Sequence, residues 1–346
     1  VNPAEGFAMT LFTDNARSPS VGSVRAGIGL SQANIFTGGD GFSVDYTHTE
    51  GSDGLDLRYS LPVNARNGRL SLAHGRSHSE VIEESVEELD INSDSRYYEA
   101  SFRQPLIETP EEELALSITA SRQESEGRFL EAQPFPTAGA DAEGRTRISS
   151  LRLGQDWIRR GEGDVLALAS ELTIGLDAFD STINERRPDS RFVAWQGQGQ
   201  WVRQIARDSI VLVRGALQLA DGPLVPMAQF GVGGNTTVRG YRANTLLTDN
   251  GWLGAAEVRL PIVRIPKYDG TVQIAPFIDV GGGWNNGDNP DPDPGTIVST
   301  GLGLILDFGD AVSARLDWGI PLTSIDNEGD SLQESGIHFS IKVFPF

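Results

Sequence analysis

The chain has 346 residues, no cysteine and 40 glycines, and its 28 Lys+Arg against 48 Asp+Glu give a formal net charge of -20. The missing thiols exclude cysteine nucleophiles, iron–sulfur clusters and Cys-ligated zinc, and the acidity argues against nucleic acid as a partner, because phosphate contacts need concentrated Lys and Arg. Only 38% of the residues are hydrophobic and no run approaches the ~18–20 consecutive apolar residues of a spanning helix, a test that is blind to closed β-barrels.

No helical period persists, and strand-like alternation runs from end to end. Sixteen strands are predicted, in chain order at about 6–13, 22–36, 41–50, 54–63, 68–79, 95–107, 112–125, 144–160, 164–178, 191–205, 208–220, 250–263, 270–284, 296–308, 311–322 and 335–346. In the third, Phe42, Val44 and Tyr46 alternate with Ser43, Asp45 and Thr47. In the fourth, Leu55, Leu57 and Tyr59 alternate with Asp56, Arg58 and Ser60. Later, Trp195 and Trp201 oppose Gln196, Gln198 and Gln200, and Leu316 and Trp318 oppose Arg315 and Asp317. Successive strand side chains point to opposite faces, so each segment has one oily and one wet face. The segments are long, which matches tilted membrane strands of roughly 9–11 residues better than a soluble sandwich. The expected fold is all-β, a 16-stranded antiparallel transmembrane β-barrel.

The links alternate in length. Thr37–Asp40, Asn64–Asn67, Gly161–Gly163, Ala206–Arg207 and Gly309–Asp310 are short, whereas Glu80–Asp94, Glu126–Glu143, Phe179–Ser190, Asp221–Asp249, Asn285–Gly295 and Thr323–Glu334 are long. Outer-membrane barrels have short periplasmic turns and longer external loops, and an even strand number puts both termini on the periplasmic side. There is no repeat or linker, so residues 1–346 read as a single barrel domain, and Val1-Asn2-Pro3 lacks a leader's basic and apolar segments. At the other end Ile337, Phe339 and Ile341 alternate with His338, Ser340 and Lys342 before the chain stops at Phe346. Such a strand resembles the signal read by the outer-membrane barrel-assembly machinery. Its parity slips at Val343-Phe344 and Pro345 cannot donate to a ladder, which predicts a bulge or a frayed end.

The longest loop, 221–249, contains Phe230-Gly231-Val232-Gly233-Gly234-Asn235-Thr236-Thr237-Val238-Arg239-Gly240-Tyr241. Its glycines allow tight turns and close approach to a wall. Arg239 sits among apolar and aromatic residues, and an arginine so placed needs a carboxylate.

Val238-Arg239-Gly240-Tyr241 resembles the VRGY/F signature in the sixth external loop of the Omp85 superfamily, and Phe277-Ile278-Asp279-Val280-Gly281 resembles its F-x-D-x-G signature on the thirteenth strand. By parity Phe277, Asp279 and Gly281 face the lumen. The resemblance therefore implies that loop 221–249 folds into the lumen as a plug or gate, with Arg239 held by Asp279 and with Glu257 as a second acceptor. Asp14-Asn15, Gly27, Gly29, Asn34 and Gly38-Gly39-Asp40 are similar to the opening strands of the TpsB transporters of two-partner secretion, of the FhaC/ShlB type. Those proteins carry POTRA domains before the barrel, and none is read in these residues.

That resemblance implies a channel exporting an unfolded partner polypeptide, a TpsA-like exoprotein, by two-partner (type V) secretion through the outer membrane. The barrel is expected to be monomeric and surrounded by outer-membrane lipid. Parity assigns to its lumen Arg58, Arg152, Glu171 and Gln198, and also Arg214, Arg259, Arg315 and Asp317. A lining of mixed sign suits a sliding chain, because no single charge holds it. An Omp85-type insertase that opens its first–last strand seam stays open as an alternative, and a solute-diffusion porin is a third.

Other chemistry is poorly nominated. His48, His74, His78 and His338 form no metal-ligand spacing, and no nucleophile elbow or phosphate loop is present. No enzyme activity, metal or other cofactor is expected. The acidic run Glu80, Glu83, Glu84, Glu87, Glu88, Asp90 and Asp94 reads as a solvated loop tip, or as a surface that bridges through divalent cations to anionic glycans. Asp288, Asp291 and Asp293 lack the closing Glu and the glycine of a calcium loop.

Overall fold

Alternating β-branched, aromatic and polar residues give strands with two unlike faces, and the computed structural model closes them on themselves. It describes residues 6–83, 86–130, 133–325 and 329–345. Numbered as wall strands only, they are β1 (Phe7–Asp14), β2 (Arg25–Ala33), β3 (Gly41–Thr49), β4 (Ser52–Pro62), β5 (Arg69–Glu80), β6 (Asn92–Glu108), β7 (Glu112–Phe129) and β8 (Arg145–Arg160). They continue as β9 (Asp164–Leu176), β10 (Val193–Ala206), β11 (Ser209–Ala220), β12 (Asn250–Ile265), β13 (Gly270–Trp284), β14 (Thr296–Phe308), β15 (Val312–Pro321) and β16 (Ile337–Val343). A two-residue strand, Gln133–Pro134, pairs with the end of β7. Every wall strand is antiparallel to the next, and β16 returns to β1 to complete a closed barrel of sixteen strands.

The ladders keep apolar residues on one side of the wall. Leu302 pairs with Trp318 and Leu304 with Leu316. Leu316 is 48% exposed, Trp318 57% and Ile278 52%. A belt of exposed large apolar residues is the outer surface of a membrane barrel. The opposite face carries the buried polar groups, among them Glu257, Asp279 and Asp317.

Strand ends follow local backbone chemistry. The second strand, expected over 22–36, spans only Arg25–Ala33, because Gly22 (φ 84) and Asn34 (φ 57) adopt left-handed conformations that a ladder does not admit. Asp40 then closes the turn: its carboxylate accepts from the amides of Ile35 (2.7 Å), Phe36 (2.9 Å) and Thr37 (3.0 Å) and from the Tyr59 hydroxyl (2.7 Å). The last strand stops at Val343, and Phe344 still donates its amide to the Ala311 carbonyl at 2.8 Å, one step further along the β15–β16 register. The pairing therefore runs up to Pro345 without fraying at Phe344; Phe346 lies outside the described residues. The link between β3 and β4 is a tight turn at Glu50-Gly51, an exception among the long links at that end.

Candidate functional site

Link 221–249, the sixth at the end that carries the long links, builds its own scaffold. Phe230–Val232 and Leu246–Thr248 pair as a short antiparallel ribbon. Between its arms the chain turns through Gly233 (φ 113), Gly234 (φ 96) and Gly240 (φ 93). The Thr237 hydroxyl stabilises the turn by accepting from the Gly233 amide at 2.8 Å. Phe230, Val232, Val238, Tyr241 and Leu246 then bury against Ile297 of β14 in one apolar cluster.

Glycines make this contact possible. A Cβ on Gly281 of β13 would lie 2.7 Å from Val232 Cγ1 and 3.1 Å from Val238 Cγ2. A Cβ on Gly319 of β15 would lie 2.5 Å from the Gly240 amide nitrogen. Wall and loop backbones approach closely only because neither position has a side chain.

At the tip of the scaffold Arg239 is 3% exposed. Its Nε lies 2.7 Å from Asp279 Oδ2 and its Nη2 2.9 Å from Asp279 Oδ1, a bidentate fork, and its own amide adds a third bond to Oδ2 at 3.2 Å. Nη1 reaches Glu257 Oε2 at 2.6 Å and Asp317 Oδ1 at 3.3 Å. The guanidinium carbon lies 3.5 Å from the centroid of the Phe277 ring, so this phenylalanine supplies a stacking face for the cation. Arg315 bridges Glu257 (2.6 Å) and Asp317 (2.6 Å), and Arg259 reaches Glu257 at 2.7 Å. Arg239, Arg259 and Arg315 thus pair with Glu257, Asp279 and Asp317, and Arg214 lies beside them as a fourth cation. Direct pairing lets buried ions persist, since an unpaired one is costly.

The neighbouring loop residues are also held. The Gly240 amide donates to His338 Nε2 on β16 at 3.0 Å, which requires a neutral ring with its proton on Nδ1. The Tyr241 hydroxyl lies 2.7 Å from the Val298 carbonyl and 3.0 Å from the Thr323 carbonyl. Arg242 pairs with Glu83 (2.6 Å) and Glu334 (3.2 Å), so the acidic run is engaged at Glu83, as it is at Asp94, which meets His78 at 3.0 Å; Glu84 lies outside the described residues. The Ala243 amide donates to Gln333 Oε1 at 2.7 Å, and the Gln333 amide group in turn donates to the carbonyls of Asn15 and of Arg17 (2.6 Å for the latter). Asn15 itself completes the β1–β16 seam: its Nδ2 donates to the Ile337 carbonyl and its Oδ1 accepts from the Phe339 amide, both at 2.8 Å.

The residues singled out from the sequence divide into two groups. Val238, Arg239, Gly240, Tyr241, Glu257, Phe277, Asp279, Gly281, Arg259, Arg315 and Asp317 come together around the loop tip. Arg214 joins them through a 3.4 Å bond to the Thr237 carbonyl. Arg58 on β4, Glu171 on β9 and Gln198 on β10 lie on other strands of the wall, and Arg152 on β8 pairs instead with Glu99. His338, Ile297, Thr323 and Gln333 were not singled out as contacts of this loop, nor Asn15 as a residue of the seam. For His338 a signal exists, since it shares the wet parity of Ser340 and Lys342. Gln333 sits in a link whose sequence carries no period, and nothing local marks it.

Sixteen closed antiparallel strands, an apolar outer belt and long links at one end define a transmembrane β-barrel of the outer-membrane type. Within that class residues 1–306 match the haemolysin secretion/activation protein ShlB/FhaC/HecB family, and the chain belongs to that family. It is 25% identical over 185 residues to the outer membrane transporter CdiB of Escherichia coli O6:K15:H31 (strain 536 / UPEC), covering 52% of this chain and 31% of that protein. The fold is similar to CdiB from Escherichia coli, with a TM-score of 0.79 at 18% identity over 99% of this chain and 64% of the other. CdiB from Acinetobacter baumannii gives 0.76 at 19% identity, over 98% and 60%. BamA from Haemophilus ducreyi lacking POTRA domains 1-3 gives 0.67 at 13% identity, over 98% and 70%. The chain thus spans about a third of the curated relative's length.

Proposed function

We propose that this barrel is the outer-membrane channel of a two-partner secretion transporter, exporting an unfolded exoprotein, with loop 221–249 folded into the lumen as its gate. The observation that carries the reading is Arg239, presented by that loop to Glu257, Asp279 and Asp317 on the face of the wall opposite the exposed apolar belt. Family membership supports the transport role. The short links share an end with both termini, which supports a periplasmic location for the termini. The barrel is read as a monomeric channel and not as an enzyme.

The ion network favours a two-position gate. Withdrawing Arg239 leaves Arg315 to bridge Glu257 and Asp317. Asp279 has no other hydrogen-bonding partner among the described residues, so the cost of release falls mainly on it. Removing one partner of a buried ion pair costs ~3–5 kcal/mol, which a passing polypeptide offsets by supplying its own polar groups. The test is export of the partner exoprotein by cells carrying Arg239→Ala in the full-length protein. Lost export with a normally assembled barrel is expected, and wild-type export sinks the reading.

A second reading, insertion of other barrels through an opened seam, is favoured by one observation. Strands β1 and β16 share only four residue pairs, against seven between β15 and β16. Cysteines at Thr13 and Ile341, which face each other across the seam, test it in a chain free of native thiols. Export that survives the crosslink removes seam opening from the export mechanism, and loss of insertion of other barrels on crosslinking supports this second reading.

A further inference from the structure

The outward side of the wall formed by β4 to β8 changes character from one register row to the next. One row reads Tyr59, Leu72, Ala100, Ala120, Leu151. The next, toward the long links, reads Leu57, His74, Tyr98, Arg122, Ser149, and the one beyond it Leu55, Arg76, Arg96, Glu124, Arg147. A fourth row reads Asp53, His78, Asp94, Glu126, Arg145, with three carboxylates in five positions. The apolar belt ends within two residues.

Two concavities meet at that border. Ala100 and Ala120 face each other between Leu72 and Leu151, and their missing side chains leave a recess of about 780 Å³, rimmed by Tyr98 and by Phe179, which is 84% exposed. Directly above it a second hollow of about 740 Å³ is lined by five arginines, Arg76, Arg96, Arg122, Arg145 and Arg147, and by the carboxylates of Asp53, Asp94, Glu124, Glu126 and Asp180. The pairing within it is uneven. Glu124 serves both Arg96 (2.5 Å) and Arg122 (3.0 Å). Arg76 stands directly across from Arg96 and has no hydrogen bond or ion pair among the described residues. Like charges placed opposite each other destabilise a sheet, and an anion between them removes that cost.

We propose that this double recess binds one lipid with a phosphate-bearing headgroup, its phosphate between Arg76, Arg96 and Arg122 and an acyl chain over Ala100 and Ala120. The guanidinium fork matches a phosphate. In the row beyond, Glu126 already engages Arg145 and Asp94 already engages His78, which leaves the unpaired cation in the arginine row. The apolar recess continues into the belt, so the two halves are stacked in the order of a lipid's headgroup and chain. Aromatic side chains at the border are where membrane barrels anchor their interface. The site rests on the reading of this chain as a membrane barrel.

The test mixes the purified barrel with equal amounts of phosphatidic acid and phosphatidylcholine of identical acyl chains and counts retained lipid by native mass spectrometry. Wild type retains phosphatidic acid preferentially. Arg76→Ser with Arg96→Ser loses that preference, about fivefold per arginine removed, whereas lysine at both positions keeps it. Ala100→Leu with Ala120→Leu fills the recess and reduces retention of both lipids. No preference in wild type, an unchanged preference in the double serine variant, retention unaffected by the double leucine variant, or displacement of the lipid by equimolar inorganic phosphate each overturns the site. Flotation with phosphatidylcholine vesicles separates the two readings. A chain that floats without discriminating lacks only the lipid site, and one that does not float removes the membrane reading and the site with it.

Discussion

Arg239 and Asp279 lie 40 positions apart and meet through three hydrogen bonds, two from the guanidinium and one from the arginine's own amide. The third bond ties the backbone of the loop, and not only its side chain, to β13. A lysine can satisfy the charge but not the fork. We expect Arg239→Lys to assemble a closed barrel while loosening the loop, read as larger and more frequent openings in planar-bilayer recordings. A wide, stable, solute-selective current from the wild type would instead favour a diffusion porin.

Gly281 is predicted to be intolerant of any side chain. Its Cβ would sit 2.7 Å from Val232 and 3.1 Å from the Trp252 carbonyl, and overpacking of this kind costs roughly 1–3 kcal/mol. Gly281→Val should displace the loop before it breaks the wall. Limited proteolysis within 221–249 should accelerate severalfold while the strand content measured by circular dichroism stays constant.

The seam depends on side chains that imitate a strand. Asn15 supplies one donor and one acceptor to β16 just past the end of β1, and Gln333 links the same stretch to Ala243 of the loop. Each truncation leaves buried groups unpaired, at ~1–3 kcal/mol apiece. Asn15→Ala should speed hydrogen exchange in β1 and β16 without touching the loop. Gln333→Ala should speed exchange in both, because it joins them.

Asp40 supplies a pH dependence. Burial works against its ionisation, yet the Tyr59 hydroxyl and the amides of Phe36, Thr37 and Ile35 all donate to it, and its pKa lies below the ordinary value. A depressed folded pKa contributes stability that is complete above the unfolded value of about 3.9 and is lost as pH falls through the folded one. Thermal unfolding followed from pH 7 to pH 3 should show this loss in wild type, and Asp40→Asn should be less stable at pH 7 and flatter across the range.

Much of the architecture was legible because it is written at period two. Parity alone separated Leu316 and Trp318 from Arg315 and Asp317, and the register keeps them on opposite faces. The two short signatures nominated Arg239 and Asp279 as partners, and the distances agree. Asp317 was read only as a lining residue, although it is a third acceptor for Arg239 and, with Glu257, a partner of Arg315. Strand parity tells which face a residue is on, but not how far along the wall a loop reaches.

The sequence by itself determined the strands, their two-faced character, the even count and the candidate arginine–aspartate pair, because each is a local property of spacing and residue type. Only the tertiary structure decided which carboxylates surround Arg239, that His338 accepts from Gly240, and that Gln333 joins the seam to the loop. It alone placed Arg76 beside Arg96 above an alanine-lined recess. The arginine pair follows from the β5–β6 register; the loop and seam contacts depend on closure, since bringing β16 back to β1 and folding a 29-residue link against the wall sets neighbours such as Asn15 and Ile337, 322 residues apart in the chain.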